Sequence, residues 1–458
     1  MKCMVISAAV LAVAAGSSGA LAQCVSGWQA VGDPAASALG GIVQAMTTWD
    51  PDGAGEQPAQ IVATGSFTTA GPDSVSRIAM WNGSQWLPFG AGISDGRSLV
   101  VRDNGDLIVV GTFTSADGVP GTSRIASWTP GASTFAPLGS GLPGALLSVT
   151  SYHGAGGTGA EQIVAGGQFN SGGLSRVASW DGVTWDSMSG GMSSLVSTMT
   201  VLAGGDLIAA GSFTTVNGAE ATPARSIARW DGTMWHALGE GMGLNPAGTT
   251  LVRCSLALPN GDLVVGGAFA SAGPADNICN FIARWDGQAW HPMGSGMTGS
   301  GTNPGVYGLA RLPNGDIVAG GNFDTAGGVE AHKLARWDGT AWHAMGSSGM
   351  NGTVFCFTQL DGVLYAGGDF TTADGQTATR FARFVQTTTA LADLGSTGGV
   401  AGSDGELNNN DFVVFIDFFF NANPAADFGS TGGVPGSDGA FDNNDFVTFI
   451  DAFFTGCA

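Results

Sequence analysis

The sequence predicts an all-β chain of repeated four-stranded sheets closed into a ring, and three observations predict it. A tag opening on tryptophan, in most copies Trp-Asp-Gly with a second aromatic just beyond, starts at Trp81, Trp128, Trp180, Trp230, Trp285 and Trp337, a spacing of about fifty residues. A second signature, Gly-x-Phe, occurs seven times and ends at Phe67, Phe113, Phe169, Phe213, Phe269, Phe323 and Phe370. The third observation is the mismatch between six tags and seven signatures. The last Gly-x-Phe runs into Phe381-Ala-Arg-Phe384 with no second tryptophan, while Gly27-Trp28-Gln-Ala-Val-Gly32 reads as the missing half of a tag. The N-terminal strand then closes the last blade, and residues 23–386 form a seven-bladed β-propeller.

Each repeat reads as four strands. In the sixth, Tyr307–Leu312 turns through Asn314-Gly315 into Asp316–Phe323, a loop follows, and Lys333–Trp337 turns through Asp338-Gly339 into Ala341–Met345. Asn-Gly between alternating apolar runs is a strong tight-hairpin signal, repeated at Asn104-Gly105 and Asn260-Gly261 and echoed at Asp361-Gly362. The composition agrees: 77 glycines, 9% aromatic and only 11% charged residues suit short strands and tight turns, not helices.

The formal charge of -21 gives a surface that repels phosphate backbones and anionic headgroups, which argues against nucleic acid as a partner and favours divalent cations. Residues 1–22 read as a secretory signal: Lys2, an apolar run from Met4 to Ala15, and the small-x-small sequence Ala20-Leu21-Ala22. Gln23 stands where lipidation of Cys24 would need a small residue, so the expected product is secreted, extracellular or at the cell surface, with no transmembrane segment. Five cysteines follow the signal, in no zinc or redox spacing, and Cys254 and Cys279 are placed to bridge adjacent strands of one repeat.

Over Cys24–Gln386 the repeats resemble kelch-type and galactose-oxidase-like propellers. The copper oxidase chemistry implied by the second of these needs tyrosine, histidine and a thioether-linked cysteine. Only Tyr152, Tyr307 and Tyr365 are present, none with a cysteine nearby in sequence. Tryptophan faces suit sugars, but a residue repeated in every unit reads better as packing between blades. The Trp-His pairs at His236, His291 and His343 likewise fall one per unit and read as structural. Asp324, Glu330 and Asp369 lie in or near loops and are the carboxylates a glycosidase reading would use, since that chemistry requires just two.

After a linker at 387–391 the texture changes to a duplication spanning 392–458. Ala392-Asp-Leu-Gly-Ser-Thr-Gly-Gly-Val is answered by Ala426-Asp-Phe-Gly-Ser-Thr-Gly-Gly-Val, and Asp404–Phe412 by Asp438–Phe446. In each copy an acidic, Gly-bent loop opens an amphipathic helix, with Phe412, Phe415, Ile416 and Phe419 in the first. Oxygen ligands around a glycine turn suit Ca²⁺. The tail resembles a dockerin, in particular the variant ending in Gly-Cys, here Gly456-Cys457.

That resemblance implies two calcium sites, with Asp393, Asp404, Asn408 and Asp411 as ligands in the first and Asp427, Asp438, Asp442 and Asp445 in the second. It also implies a cohesin-like or envelope protein as docking partner. About seven residues beyond an ordinary twelve-residue loop separate Asp393 from Asp404, and the second copy repeats the insertion. Together these features predict an exported, non-catalytic binding or scaffolding propeller, with a glycan as one candidate ligand and a calcium-dependent attachment module. A secreted carbohydrate-active enzyme, either glycoside hydrolase or lyase, and a structural surface or adhesion protein are the alternatives.

Overall fold

In the computed structural model the described residues are 25–387 except 54, 56, 246, 275 and 276, together with 395–396, 400–401, 414–415, 429–430 and 434–435. The expected signal at 1–22 and all eight expected calcium ligands lie outside them.

Gly27–Val385 forms one compact unit. Among the described residues it carries seven four-stranded sheets. The innermost strands are Val43–Trp49, Gly96–Val101, Ala145–Tyr152, Val196–Val201, Leu251–Ala257, Gly305–Arg311 and Val354–Leu360. Each touches the next in this order, and the last touches the first. This is a β-propeller. Its final sheet is composite: Val25–Ala30 forms the outer edge beside Phe381–Thr387, as the split tag predicts.

The core lies between sheets rather than within any one of them. Seven apolar clusters each combine two neighbouring sheets. One joins Tyr365 and Phe381 of the last sheet to Trp81 and Trp86 of the first, so the hydrophobic contact is continuous around the ring. The Phe of every Gly-x-Phe signature is at most 1% exposed, filling an inter-sheet layer.

Each residue of the tryptophan tag has a separate physical role. The second tryptophan crosses to the preceding sheet, where its indole N–H donates to a backbone carbonyl. Trp86 reaches Ser37 at 2.9 Å, Trp235 reaches Met188 at 3.0 Å, Trp290 reaches Leu238 at 3.0 Å and Trp342 reaches Met293 at 2.8 Å. The aspartate accepts two backbone N–H groups of its own turn; Asp286 Oδ1 takes those of Gln288 at 2.8 Å and Ala289 at 2.7 Å. The glycine turns the chain at positive φ, 95° at Gly287 and 99° at Gly339, a conformation that carries no steric penalty without a Cβ.

Closure of the ring depends on Asp374. One carboxylate oxygen accepts the Trp28 backbone N–H at 2.6 Å, and the other accepts those of Ser348 at 2.9 Å and Gly349 at 2.8 Å. Asp117 holds the Phe135 N–H at 3.1 Å and Asn217 that of Trp235 at 2.9 Å. A polar loop residue thus fixes the outer strand in several sheets, and Asp374 uses the same contact to hold the chain start.

The expected Cys254–Cys279 bridge does not form: Cys254, Cys279 and Cys356 are free thiols. Cys254 packs into the layer between the fifth and sixth sheets and Cys279 into the layer between the fourth and fifth, so the fifth sheet separates them. Burial pushes the Cys254 thiol up to about 12 and that of Cys279 up to about 11.

In the tail, Gly395–Ser396 pairs with Val400–Ala401, and Gly429–Ser430 pairs with Val434–Pro435. The same antiparallel pairing thus recurs in both copies of the duplication. Val414 and Phe415 are helical and buried, at the start of the first expected helix. Among the described residues no helix is long and apolar enough to cross a membrane.

Replacing Trp342 by Phe keeps the ring in the layer but removes the inter-sheet hydrogen bond, leaving the Met293 carbonyl only the Gly296 N–H at 3.2 Å. The expected loss is about 0.5–1.5 kcal/mol, read as a lower urea midpoint at unchanged slope. An unchanged midpoint would show that the inter-sheet hydrogen bond is not stabilising.

Candidate functional site

The Gly-x-Phe glycines face a break in strand register. In the first sheet Val43 pairs with Gly65 and Ala45 with Thr64, leaving Gln44 as an extra residue. The same shift leaves Arg97, Leu147, Ser197, Arg253, Tyr307 and Phe355 unpaired in the other six. These are β-bulges, which bend a strand and re-aim a side chain. Glycine is required opposite them: a Cβ at Gly65 would collide with the Ile42 carbonyl, and one at Gly267 with that of Leu251.

Because every bulge lies at the same end of an innermost strand, the ring brings seven side chains of six kinds around one end of its axis, all half-buried. Three consecutive ones touch. The Arg253 guanidinium lies 4.3 Å from the centre of the Tyr307 ring, and Tyr307 meets Phe355 edge-on at 5.2 Å. Ser197 Oγ donates to the Val252 carbonyl, next to Arg253. The Tyr307 hydroxyl donates to the Asn303 carbonyl at 2.9 Å, fixing the ring that carries the guanidinium.

The strand entering opposite each bulge begins with a residue at positive φ: Arg77, Arg124, Arg176, Ser226, Phe281, Lys333 and Arg380, between 60° and 75°. Their backbone carbonyls receive the signature glycine N–H, as from Gly65 to Arg77 at 3.1 Å and from Gly321 to Lys333 at 3.0 Å. Left-handed backbone at non-glycine residues costs about 1–3 kcal/mol apiece, and here it recurs in every sheet because it turns that carbonyl onto the bulge. Five of the seven residues are basic, so cationic side chains collect at this end of an acidic molecule.

The β-propeller fold is shared with solved structures. A family model described as a domain of unknown function (DUF5122) beta-propeller matches residues 359–384. The extracellular domain of the putative one component system BT4673 from B. thetaiotaomicron is similar at a TM-score of 0.50 and 9% identity, covering 80% of this chain and 41% of that one. A second structure, of the extracellular domain of the putative hybrid two component system BT4673, matches at 0.47 and 10%, covering 81% and 42%. Streptogramin B lyase matches at 0.44 and 11%, covering 76% of this chain and 94% of its own. The chain spans about two fifths of the length of the two extracellular domains. Among curated proteins none matches it in sequence.

The glycosidase candidates are all engaged locally. Asp324 accepts Lys333 Nζ at 2.7 Å and the Ser300 N–H and hydroxyl at 2.8 and 2.7 Å. Asp369 faces Arg380 at 3.3 Å, and Glu330 faces His332 at 3.5 Å. His236, His291 and His343 each place Nε2 2.6 Å from the aspartate of their own turn, Asp231, Asp286 and Asp338. Turn N–H donors together with these histidines hold those carboxyls far below the usual carboxylate range.

Tryptophan faces do not form a rim. Trp285 and Trp290 border a cleft with Glu240 and Asn277 but are only 8% and 6% exposed, and Asn277 Nδ2 already donates to the Ala272 and Trp290 carbonyls at 2.7 and 2.9 Å. Sequence reading missed the bulge ring. Its signal was the glycine of Gly-x-Phe, which marks the bulge without naming the residue that occupies it.

Asp324 supplies a test of this network. The Lys333 ammonium and the Ser300 donors depress its pKa to about 2. A depressed folded-state value stabilises fully above the unfolded value, near 4, and the contribution is lost as pH falls from about 4 through 2. Asp324→Asn is expected to reduce the acid sensitivity of the melting temperature in that window and leave its pH dependence between 5 and 7 unchanged. Parallel curves for the two proteins below pH 4 would contradict the assignment.

Proposed function

We propose that the protein is an exported, non-catalytic, seven-bladed β-propeller that binds a ligand on its bulge-bearing face and attaches to a partner or the cell envelope through a calcium-dependent dockerin-like module. The carrying observation is the contrast between tag and bulge. Tag residues repeat and are used up by turns and inter-sheet contacts, whereas the seven bulge positions hold six kinds of side chain at one axial end. Framework positions in a repeat protein stay alike, and variation gathers where a surface is used. That solved structures of similar fold come from extracellular domains agrees with export.

The tail hairpins support the calcium reading. A hairpin returns the chain to its starting point, so the residues flanking it can act as neighbours in a loop. Setting aside the seven residues 395–401 leaves Asp393, Asp404, Asn408 and Asp411 at positions one, five, nine and twelve of a twelve-residue calcium loop, with Gly405 at the sixth. Setting aside 429–435 does the same for Asp427, Asp438, Asp442 and Asp445, with Gly439 at the sixth. Bound Ca²⁺ would supply the charge that holds these oxygens together and orders the helix after each loop.

Limited proteolysis of the mature protein, run with calcium and with excess chelator alongside an envelope-fraction and glycan binding screen, tests both halves. Chelation is expected to expose 392–458 to cleavage and abolish envelope capture while Gly27–Val385 stays intact. Equal protection and equal capture in both conditions would sink the calcium-dependent attachment.

A further inference from the structure

The axial bulge ring goes beyond a general binding face because its chemistry is directional. Arg253 has no carboxylate within ion-pair distance among the described residues, in contrast to Arg97, which is held by Asp95 at 2.9 Å, and Arg284, held by Asp262 at 2.7 Å. Its nearest acceptor is the Pro304 carbonyl at a long 3.5 Å. Stacking on Tyr307 fixes the guanidinium plane, and a stacked guanidinium keeps its N–H edge free for a planar anion. Burial also weakens its hold on the proton relative to an exposed arginine, as expected of a cation short of solvent and counter-charge.

The surroundings limit what that anion is. Phe355 beside Tyr307 offers an apolar surface for a ring with exposed C–H groups, and Ser197 and Gln44 occupy the bulges on either side of these three. Arg124 and Arg176 on the same face direct guanidinium N–H groups to loop carbonyls, Phe113 at 2.9 Å and Phe169 at 2.7 Å, so their charge is not cancelled by a carboxylate there. A long polyanion would meet the repulsion of a chain carrying -21. A neutral sugar would leave Arg253 uncompensated.

We infer that the axial bulge ring binds a carboxylate-bearing saccharide unit, a uronate, with Arg253 gripping the carboxylate and Tyr307 and Phe355 packing against the sugar. This rests on the reading of the propeller as a binding protein and names its ligand class. Arg253 is the specificity determinant, since its fork matches a carboxylate in two parallel hydrogen bonds that a lysine cannot reproduce.

Calorimetric titration of the mature protein with trigalacturonate, and with cellotriose as the neutral counterpart, tests it. Trigalacturonate is expected to bind more tightly than cellotriose. Arg253→Ala is expected to weaken it by about tenfold or more, and Arg253→Lys also to weaken it despite keeping the charge. Arg253→Met, close in length, and a melting curve for each variant separate a lost contact from a lost fold. Trigalacturonate binding that is indifferent to all three folded variants, or no tighter than cellotriose binding, overturns the inference. Capture of envelope material or a neutral glycan without any uronate binding overturns it too, while leaving the binding-protein reading standing. Capture of nothing defeats both.

Discussion

A four-stranded sheet of this size cannot bury its own faces, and that constraint governs the whole propeller. Every apolar layer belongs to two sheets, so an open array would leave two faces exposed to water. Closure removes both. The cost of ordering the N-terminal strand against a segment more than 340 residues away is offset by completing the layer between the sixth and last sheets, in which Trp28 is 1% exposed and packs 5.3 Å from Phe384. Burying a large apolar side chain contributes about 1.5–3 kcal/mol, and a layer contains a dozen or so.

The same constraint explains why the residues that catch the eye in the sequence are structural. Trp285 and Trp290 fill a layer and cross-link it, Asp286 and Gly287 shape the turn that positions them, and His291 braces that aspartate. Arg284 pairs with Asp262 across the hairpin. Each of these contacts recurs in neighbouring sheets because each sheet faces the same packing problem.

Much of the fold was therefore legible: tag spacing set the number of sheets, Asn-Gly pairs placed the hairpins, and the unequal counts of two signatures revealed the split sheet. The bulge ring was not legible, for a physical reason. Its occupants vary from Gln44 to Phe355 and leave no motif, and the glycine opposite them looks like an ordinary small strand residue until the backbones are seen to approach. The disulfide expectation failed similarly, because nearness of Cys254 and Cys279 in sequence says nothing about which side of a sheet each one faces. The expected calcium ligands of the tail lie outside the described residues, and the strand pairs found there recur at the same place in both copies of the duplication.

Division of labour between a repeated framework and a varied axial face thus depends on the ring being closed as one cooperative unit. Native-state hydrogen exchange tests this most directly, by following the amides of Trp28–Ala30 against those of Val43–Trp49 and Leu251–Ala257. The account predicts that the N-terminal strand exchanges in the slowest class, through the same global opening as the innermost strands. Exchange of that strand by local detachment, well before the rest of the ring, would contradict it.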